Sequence, residues 1–292
     1  MASEGFLLVD KPSGWTSHDV VAKVRGLAGT KKVGHAGTLD PMATGLLVLG
    51  LGRATRLLRF VQGLPKEYVA RAQLGVATDT LDADGIETER APMVVDQQTV
   101  EAALAGFRGS ISQIPPMVSA IKMGGRKLYE LAREGQEVER APRPVEIYEL
   151  ELTGFEGGDY PVIEFRVVCS TGTYVRTLAD DIAQAVGGRG HLVTLRRARI
   201  GSLTVGTAST MESLIDSDHG LASVVKPLTA GLADLMQVTV DDELGKRIAH
   251  GSVLTRSELP IEGPTAVLDR HGNLLAVYAP YGADTKPEVV VS

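Results

Sequence analysis

Residues 33–45 read Val33-Gly34-His35-Ala36-Gly37-Thr38-Leu39-Asp40-Pro41-Met42-Ala43-Thr44-Gly45 and lead directly into the apolar run Leu46-Leu47-Val48-Leu49. The three glycines permit a positive φ or a close backbone approach, and Pro41 disfavours the α region for Asp40. The stretch therefore predicts a shaped loop that ends in a buried strand and holds one carboxylate, Asp40, in a defined place.

The charge around this loop is one-sided. Asp40 is the only acidic residue from Val20 to Lys66, a segment whose other charged residues are all basic. Because nearby cations favour an ionised carboxylate, we expect Asp40 to stay charged, as a candidate nucleophile or base for an anionic substrate. The alternative is an Asx-turn aspartate that only shapes the loop.

Composition places the chain among ordinary globular proteins. It has 292 residues, of which 43% are hydrophobic and 23% charged. A single cysteine, Cys169, excludes an internal disulfide, and the scattered histidines predict no metal site. The sequence has no basic N-terminal leader and no apolar run long enough to cross a bilayer, which predicts a cytoplasmic protein without membrane contact.

The net charge of −6 is unevenly distributed. Basic residues concentrate at 20–66 and at 189–199, whereas acidic residues concentrate elsewhere. If the two basic stretches share a face, an acidic protein still presents a phosphate-binding surface.

Periodicity predicts a sheet-based fold with two parts. Alternating or buried apolar runs indicate strands at 5–10, 66–74, 145–152, 161–169 and 191–200. The stretch at about 109–147 is irregular: it contains Pro115-Pro116, Gly124-Gly125 and several basic residues. It predicts an excursion from the sheet that contacts a polyanion. The composition becomes acidic at about residue 227, which predicts one domain at 1–226 and a second at 227–292. The second is expected to be small, separate and mostly β, with a loose tail after Tyr281.

Arg176 lies at the start of a predicted helix from 174 to 186. The helix dipole disfavours a cation at this end, so an anionic neighbour is expected there, either Asp40 or a phosphate. Tyr68 falls on the apolar side of its strand, where it belongs either to the core or to a cleft above it.

Four ordered motifs resemble the TruB family of tRNA pseudouridine synthases. The stretch from Gly34 to Pro41 with Ala43-Thr44-Gly45 resembles the catalytic loop of that family, and Asp10-Lys11-Pro12-Ser13-Gly14 with Thr16-Ser17 its N-terminal motif. Lys66-Glu67-Tyr68 and the segment from Cys169 to Arg176 resemble its later motifs. The last sixty or so residues match less well, as a divergent or shortened PUA-like domain would.

The resemblance implies an α+β fold: a large mixed, mainly antiparallel sheet flanked by helices, with a small PUA-like β-rich C-terminal domain. It implies isomerisation of uridine to pseudouridine at position 55 in the T arm of tRNA, without a cofactor or a metal, by a monomeric protein. The alternative is a non-catalytic tRNA-binding or tRNA-folding protein on the same scaffold.

The resemblance also assigns the site residues. Asp40 is the nucleophile or base, Arg176 pairs with it, and Tyr68 contacts the flipped uracil and handles a proton. The supporting assignments are Tyr174 against the base, His35 in the space that the base leaves, Leu195 in the pocket wall, and Lys11, Gly37 and Pro41 as structural support.

Overall fold

A mixed sheet organises the molecule, and the predicted strands form most of it. The computed structural model describes residues 4–118, 122–123, 125–128, 131, 134, 136, 138–217 and 220–291. Its helices are α1 (Ser17–Ala28), α2 (Leu58–Gln62), α3 (Gln97–Ala105), α4 (Val175–Ala185), α5 (Met211–Ile215) and α6 (Asp242–Ala249). Its strands are β1 (Gly5–Lys11), β2 (Val33–His35), β3 (Thr44–Leu51), β4 (Lys66–Leu74), β5 (Val76–Thr78), β6 (Glu87–Arg90), β7 (Gly109–Gln113), β8 (Lys122–Met123), β9 (Arg126–Lys127), β10 (Arg143–Glu156), β11 (Val162–Cys169), β12 (Gly190–Ile200), β13 (Leu203–Thr204), β14 (Ser209–Thr210), β15 (Met236–Thr239), β16 (Leu254–Thr255), β17 (Thr265–Leu268), β18 (Leu274–Tyr281) and β19 (Asp284–Val290).

Ten of these strands form the main sheet. Its order is β14-β1-β3-β12-β4-β11-β10-β7, with β13 beside β12 and β2 beside β3. The pairs β1–β14 and β3–β12 are parallel, and the other neighbours are antiparallel. The predicted mixed, mainly antiparallel sheet flanked by helices is therefore confirmed.

The central strand β12 sets the geometry of the site. Arg197 of β12 lies opposite Gly45 of β3 on one side and opposite Tyr68 of β4 on the other. Directly paired residues of neighbouring strands project from the same face of a sheet. The end of the 33–45 loop, the start of β4 and the middle of β12 consequently meet at one place.

Local signals in the sequence explain the helices that flank this place. Thr16 caps α1 in a capping box with Asp19, and Gly29 ends it in the left-handed conformation at φ 61°. In α4, Leu178 and Ile182 are fully buried against the face of the sheet that carries Tyr68 and Phe165. The helix thereby fixes the height of Arg176 above the sheet.

The C-terminal part is a second sheet that shares a core with the first. Its order is β15-β17-β18-β19-β16, which agrees with the predicted small β-rich domain. Val277 and Val289 of this sheet belong to the same buried cluster as Phe6 and Leu57. The two sheets are therefore packed against each other, and the division into domains at 226/227 stays a prediction.

Two further expectations need correction. The chain after Tyr281 is no loose tail, because β19 pairs with β18 along its length. The excursion starts later and ends earlier than 109–147, since β7 and β10 pair at its base and belong to the main sheet. Residues 119–121, 124, 129–130, 132–133, 135 and 137 of that excursion lie outside the described residues.

No helix in the described part of the chain is both long and apolar enough to span a membrane.

Candidate active site

The loop between β2 and β3 holds Asp40 by contacts at both ends. Gly37 and Gly45 adopt φ values of 117° and 100°, which side-chained residues rarely adopt. The hydroxyl of Ser17 at the start of α1 accepts a hydrogen bond from the Leu39 N–H at 2.9 Å and donates to the Leu39 carbonyl at 3.2 Å. The loop residue before Asp40 is therefore fixed to α1.

Lys11 supports the other side of the loop. Its ammonium is fully buried and donates hydrogen bonds to the carbonyls of Pro12, Trp15 and Pro41 at 2.9, 2.6 and 3.2 Å. Burial lowers the pKa of Lys11 to about 8, against the opposing charge of Asp40. These contacts make Lys11 and Pro41 parts of the scaffold of the loop.

A guanidinium lies between two carboxylates at the floor of the site. The Arg176 side chain, only 4% exposed, places Nε 3.0 Å from Asp40 Oδ2 and Nη1 3.1 Å from Asp82 Oδ2. Arg176 also donates to the carbonyls of Thr80 and Val118 at 2.9 and 2.8 Å. The anionic neighbours balance the unfavourable position of this cation at the start of α4.

Asp82 is one of the site residues that the sequence analysis missed. It is 4% exposed and lies on the turn after β5, 42 residues after Asp40. The turn itself is readable in Asp82-Ala83-Asp84-Gly85, but nothing in one sequence shows which of its carboxylates turns inward. Asp40 is therefore isolated from other acids along the chain but not in space.

This environment changes the expected protonation of Asp40. Desolvation in the recess raises the pKa of Asp40, the charge of Asp82 raises it further, and Arg176, Lys11 and Arg197 oppose the rise. The side chain is still 36% exposed, so one part of the carboxylate remains open to the recess. The expectation that Asp40 stays charged stays a prediction; the cations favour the charged form, but burial and a second acid, which the sequence did not reveal, act against it.

The recess is a pocket of about 270 Å³ that holds most of the predicted residues. Tyr68 and Leu195 are 8% and 6% exposed and form part of its wall, and Tyr174 is half-buried there. The lining residues are Gly37, Thr38, Leu39, Asp40, Lys66, Tyr68, Ser170, Thr171, Gly172, Thr173, Tyr174, Val175, Arg176, Leu195 and Arg197. Small-ligand sites typically have volumes from about 300 Å³ upward, so this pocket is a small one. Its size suits one pyrimidine nucleoside.

Gln113 fixes Tyr174 at the pocket rim. Its side-chain amide accepts a hydrogen bond from the Tyr174 N–H at 3.0 Å and donates to the Tyr174 carbonyl at 3.3 Å. Gln113 is 1% exposed and ends β7, where the excursion leaves the sheet. The base of the excursion and the start of α4 are therefore joined beside the pocket.

His35 lies outside the pocket lining. Its ring meets that of His18 edge-on, with 5.8 Å between the ring centroids. Burial lowers the pKa of His35, and the charges of His18 and Arg197 lower it further. The structure thus places His35 beside the pocket rather than in it.

The arginines of the 189–199 stretch are mostly paired with acids. Arg189, Arg196 and Arg199 bind Asp180, Asp10 and Glu67 with N–O distances of 2.9, 2.7 and 2.9 Å. The expected basic face is therefore partly neutralised by acids, two of which, Asp10 and Glu67, lie more than a hundred residues away in the sequence. Across the described side chains, no group of His, Cys, Asp and Glu is arranged to hold a metal ion.

Comparison with known proteins identifies the class. The model of the N-terminal domain of TruB family pseudouridylate synthases matches residues 25–175. The chain is therefore a pseudouridine synthase, an isomerase that converts uridine to pseudouridine. A model of the tRNA pseudouridylate synthase B C-terminal domain matches residues 176–233. Within the class, the chain belongs to the TruB family.

Individual relatives agree with this assignment. The chain is 42% identical to tRNA pseudouridine synthase B of Thermobifida fusca (strain YX), covering 99% of this chain and 98% of that protein. It is 47% identical to tRNA pseudouridine synthase B of Symbiobacterium thermophilum over 85% of this chain and 82% of that protein. A chain of an H/ACA RNP bound to a substrate RNA containing 2′-deoxyuridine has the same fold, with a TM-score of 0.75, 24% identity and coverage of 99% and 85%.

Proposed function

We propose that this protein isomerises uridine 55 in the T arm of tRNA to pseudouridine, acting as a cytoplasmic monomer. Support for tRNA as the substrate comes from relatives of nearly the same length that are tRNA pseudouridine synthases B. Support for a nucleoside as the reacting unit comes from the size of the pocket and from the tyrosines in its wall.

The observation that carries the proposal is the partly open carboxylate of Asp40. Arg176 orients it from below at 3.0 Å, and the pocket that contains Tyr68 lies above it. Isomerisation breaks the N1–C1′ bond, forms a C5–C1′ bond, and releases the proton from C5. A carboxylate beside the nucleoside assists by attack on the sugar or the base, or by accepting a sugar proton.

The reaction requires the target base to leave the RNA stack. Unstacking costs a few kcal/mol, which aromatic contacts in the pocket offset. Tyr68, Tyr174 and Leu195 all line the pocket, and in this proposal the two tyrosines contact the flipped uracil. His35, which is outside the pocket lining, is proposed to fill the space that the base leaves in the T loop.

The test uses unmodified tRNA transcripts and the full-length protein, with EDTA present. Pseudouridine is mapped by carbodiimide treatment and reverse transcription. We expect one new stop, one nucleotide 3′ of position 55, and none in a matched transcript with cytidine at position 55. Tight binding without any stop would support the non-catalytic alternative, and a stop at another position would overturn the assignment of the T arm.

A further inference from the structure

A buried cation of β12 has no acidic partner within the described ranges. Arg197 is 1% exposed and is the largest of the fully buried side chains. Its neighbours Arg196 and Arg199 are partly exposed, and each pairs with a carboxylate. Burial of a cation that no anion neutralises is costly, so the surroundings of Arg197 must compensate for it.

The compensation comes from the loop that carries Asp40. The Arg197 guanidinium donates hydrogen bonds to the carbonyls of Leu46, Thr38 and Gly37 at 2.7, 3.3 and 3.1 Å. At Gly45, an added Cβ would lie 2.3 Å from the Arg197 carbonyl, so only glycine permits this approach of β3 to β12. Arg197 therefore contacts the loop on both sides of Asp40.

Carbonyl groups satisfy the N–H donors but leave the positive charge of Arg197 in place. That charge lies in the pocket wall, opposite Tyr68 in the register of β12 and β4. The charged and titratable groups around Asp40 are Arg176 of α4, Asp82 of the turn after β5, Lys11 of β1, Lys66 and Tyr68 of β4, and Arg197 of β12. Arg176 is shared between two carboxylates, whereas Arg197 has no such competitor.

We propose that Arg197 is a positioning residue for the reaction: it locks the loop that carries Asp40 against Tyr68, and its charge supports the Asp40 carboxylate when uridine displaces water from the pocket. The proposal rests on the uridine isomerisation proposed above and adds a residue to it. Its physical basis is that a preorganised cation in a desolvated site needs no rearrangement when the substrate enters.

The experiment compares three full-length variants. Arg197→Met removes the charge and the hydrogen-bonding fork, and Arg197→Lys keeps the charge but loses the fork. The control is Arg71→Met, at an arginine of β4 that pairs with Glu156 and Glu164 and lies outside both basic stretches. For each variant, thermal unfolding, the Kd for tRNA and the single-turnover rate constant as a function of pH are measured.

We expect both Arg197 variants to bind tRNA with a Kd near that of the wild type and to react roughly 100-fold more slowly, because the loop is displaced. In Arg197→Met, the acidic limb of the rate profile moves to higher pH, since the carboxylate has lost a supporting charge. In Arg197→Lys it stays at the wild-type position, and Arg71→Met behaves as the wild type.

Three results would overturn the proposal: wild-type rates in both Arg197 variants, an acidic limb that does not move in Arg197→Met, or loss of folding in both while Arg71→Met folds. The last would make Arg197 a residue of the core only. An inactive wild-type protein would instead contradict the proposed function, so the two failures are distinguishable.

Discussion

Arg176 connects the two carboxylates on which the site depends. Its planar fork reaches Asp40 through Nε and Asp82 through Nη1, a geometry that the single ammonium of lysine cannot reproduce. Burial raises the pKa of Asp40, the charge of Arg176 opposes that rise, and the charge of Asp82 offsets part of this opposition. The protonation of Asp40 therefore depends on residues from three distant parts of the chain.

This predicts the pH dependence of the reaction at its acidic end. The pKa of Asp40 is raised above its ordinary value of 3.8. Because the ionised form is the active one, the single-turnover rate falls as the pH drops, with a midpoint above 3.8. The rate is measured with saturating tRNA down to about pH 4, and circular dichroism confirms that the protein stays folded. A rate that has not begun to fall at the lowest pH measured would contradict the prediction.

Two proposed functions of Tyr68, the contact of its ring with the base and proton transfer by its hydroxyl, can be tested separately by substitution. Burial raises the pKa of its hydroxyl, and the charge of Arg197 opposes that rise. We expect Tyr68→Phe to bind tRNA as the wild type does and to react about 100-fold more slowly, because it keeps the ring but loses the proton-handling group. Tyr68→Ala should also lose far more rate than affinity. Full activity of Tyr68→Phe would show that only the ring is used.

Sequence reasoning found those residues whose signal is local. Asp40 stands out by its charge and glycine neighbours, and Arg176 by its position at a helix start. Asp82 and Gln113 were missed because their contacts join segments that are at least forty residues apart. A single sequence holds no sign of such contacts, and the roles of the site residues stay predictions until variants are measured.

The turn between β5 and β6 is the strained element of the site. Among the described residues outside glycine, Leu81 alone has a positive φ, at 62°. Its N–H donates to the Thr78 carbonyl and its carbonyl accepts from the Leu192 N–H, so the turn is tied to β12. This conformation directs both Thr80 and Asp82 toward Arg176. Strain at such a position is typical of functional sites.

The strain at Leu81 predicts that glycine is more stabilising than alanine at this position, the reverse of the order in a helix. Both Leu81→Ala and Leu81→Gly remove the side chain, but only glycine adopts a positive φ without strain. We expect Leu81→Gly to be about 1 kcal/mol more stable than Leu81→Ala in urea denaturation. At Leu27, an exposed position in α1, the same pair should show the ordinary order, with glycine about 1 kcal/mol less stable. The ordinary order at Leu81 as well would contradict the strain.

Elements with a strong period were predictable, and those that depend on distant partners were not. The strand expected at 66–74 has those bounds in the structure, since one of its faces is regularly apolar. In β19 the period is interrupted by Pro287, and the strand is recognisable only once β18 lies beside it. Sequence alone therefore indicated a loose tail where the structure has a strand of the second sheet, between β18 and β16.

The two sheets are packed together, because apolar side chains of both belong to one buried core. Phe6, Leu8 and Leu57 of the first part pack in the same cluster as Val277 and Val289 of the second. Hydrogen bonds from Arg53 and Arg56 to the carbonyls of residues 291 and 290 join the parts at the surface. Exposed polar contacts contribute little to stability. We therefore expect the shared core to couple the unfolding of the two sheets.

This coupling predicts that damage to the second sheet is detected in the first. Val277→Ala, at a fully buried position of β18, should lower the free energy of unfolding by about 2 kcal/mol. The single tryptophan, Trp15, lies in the first part, so its fluorescence reports unfolding there. We expect its denaturation midpoint to fall in Val277→Ala and to stay unchanged in the surface control Glu262→Ala. An unchanged midpoint in Val277→Ala would show that the two parts unfold independently.

The whole account depends on the Asp40 carboxylate as the reacting group. Asp40→Asn keeps an oxygen near Arg176, and Asp82 still neutralises the guanidinium, so the variant should fold and bind tRNA. The most direct measurement is the release of tritium from tRNA labelled at C5 of uridine, because that hydrogen leaves only when C5 joins C1′. We predict release by the wild type and none by Asp40→Asn at an unchanged Kd. Release by Asp40→Asn at the wild-type rate would contradict the account.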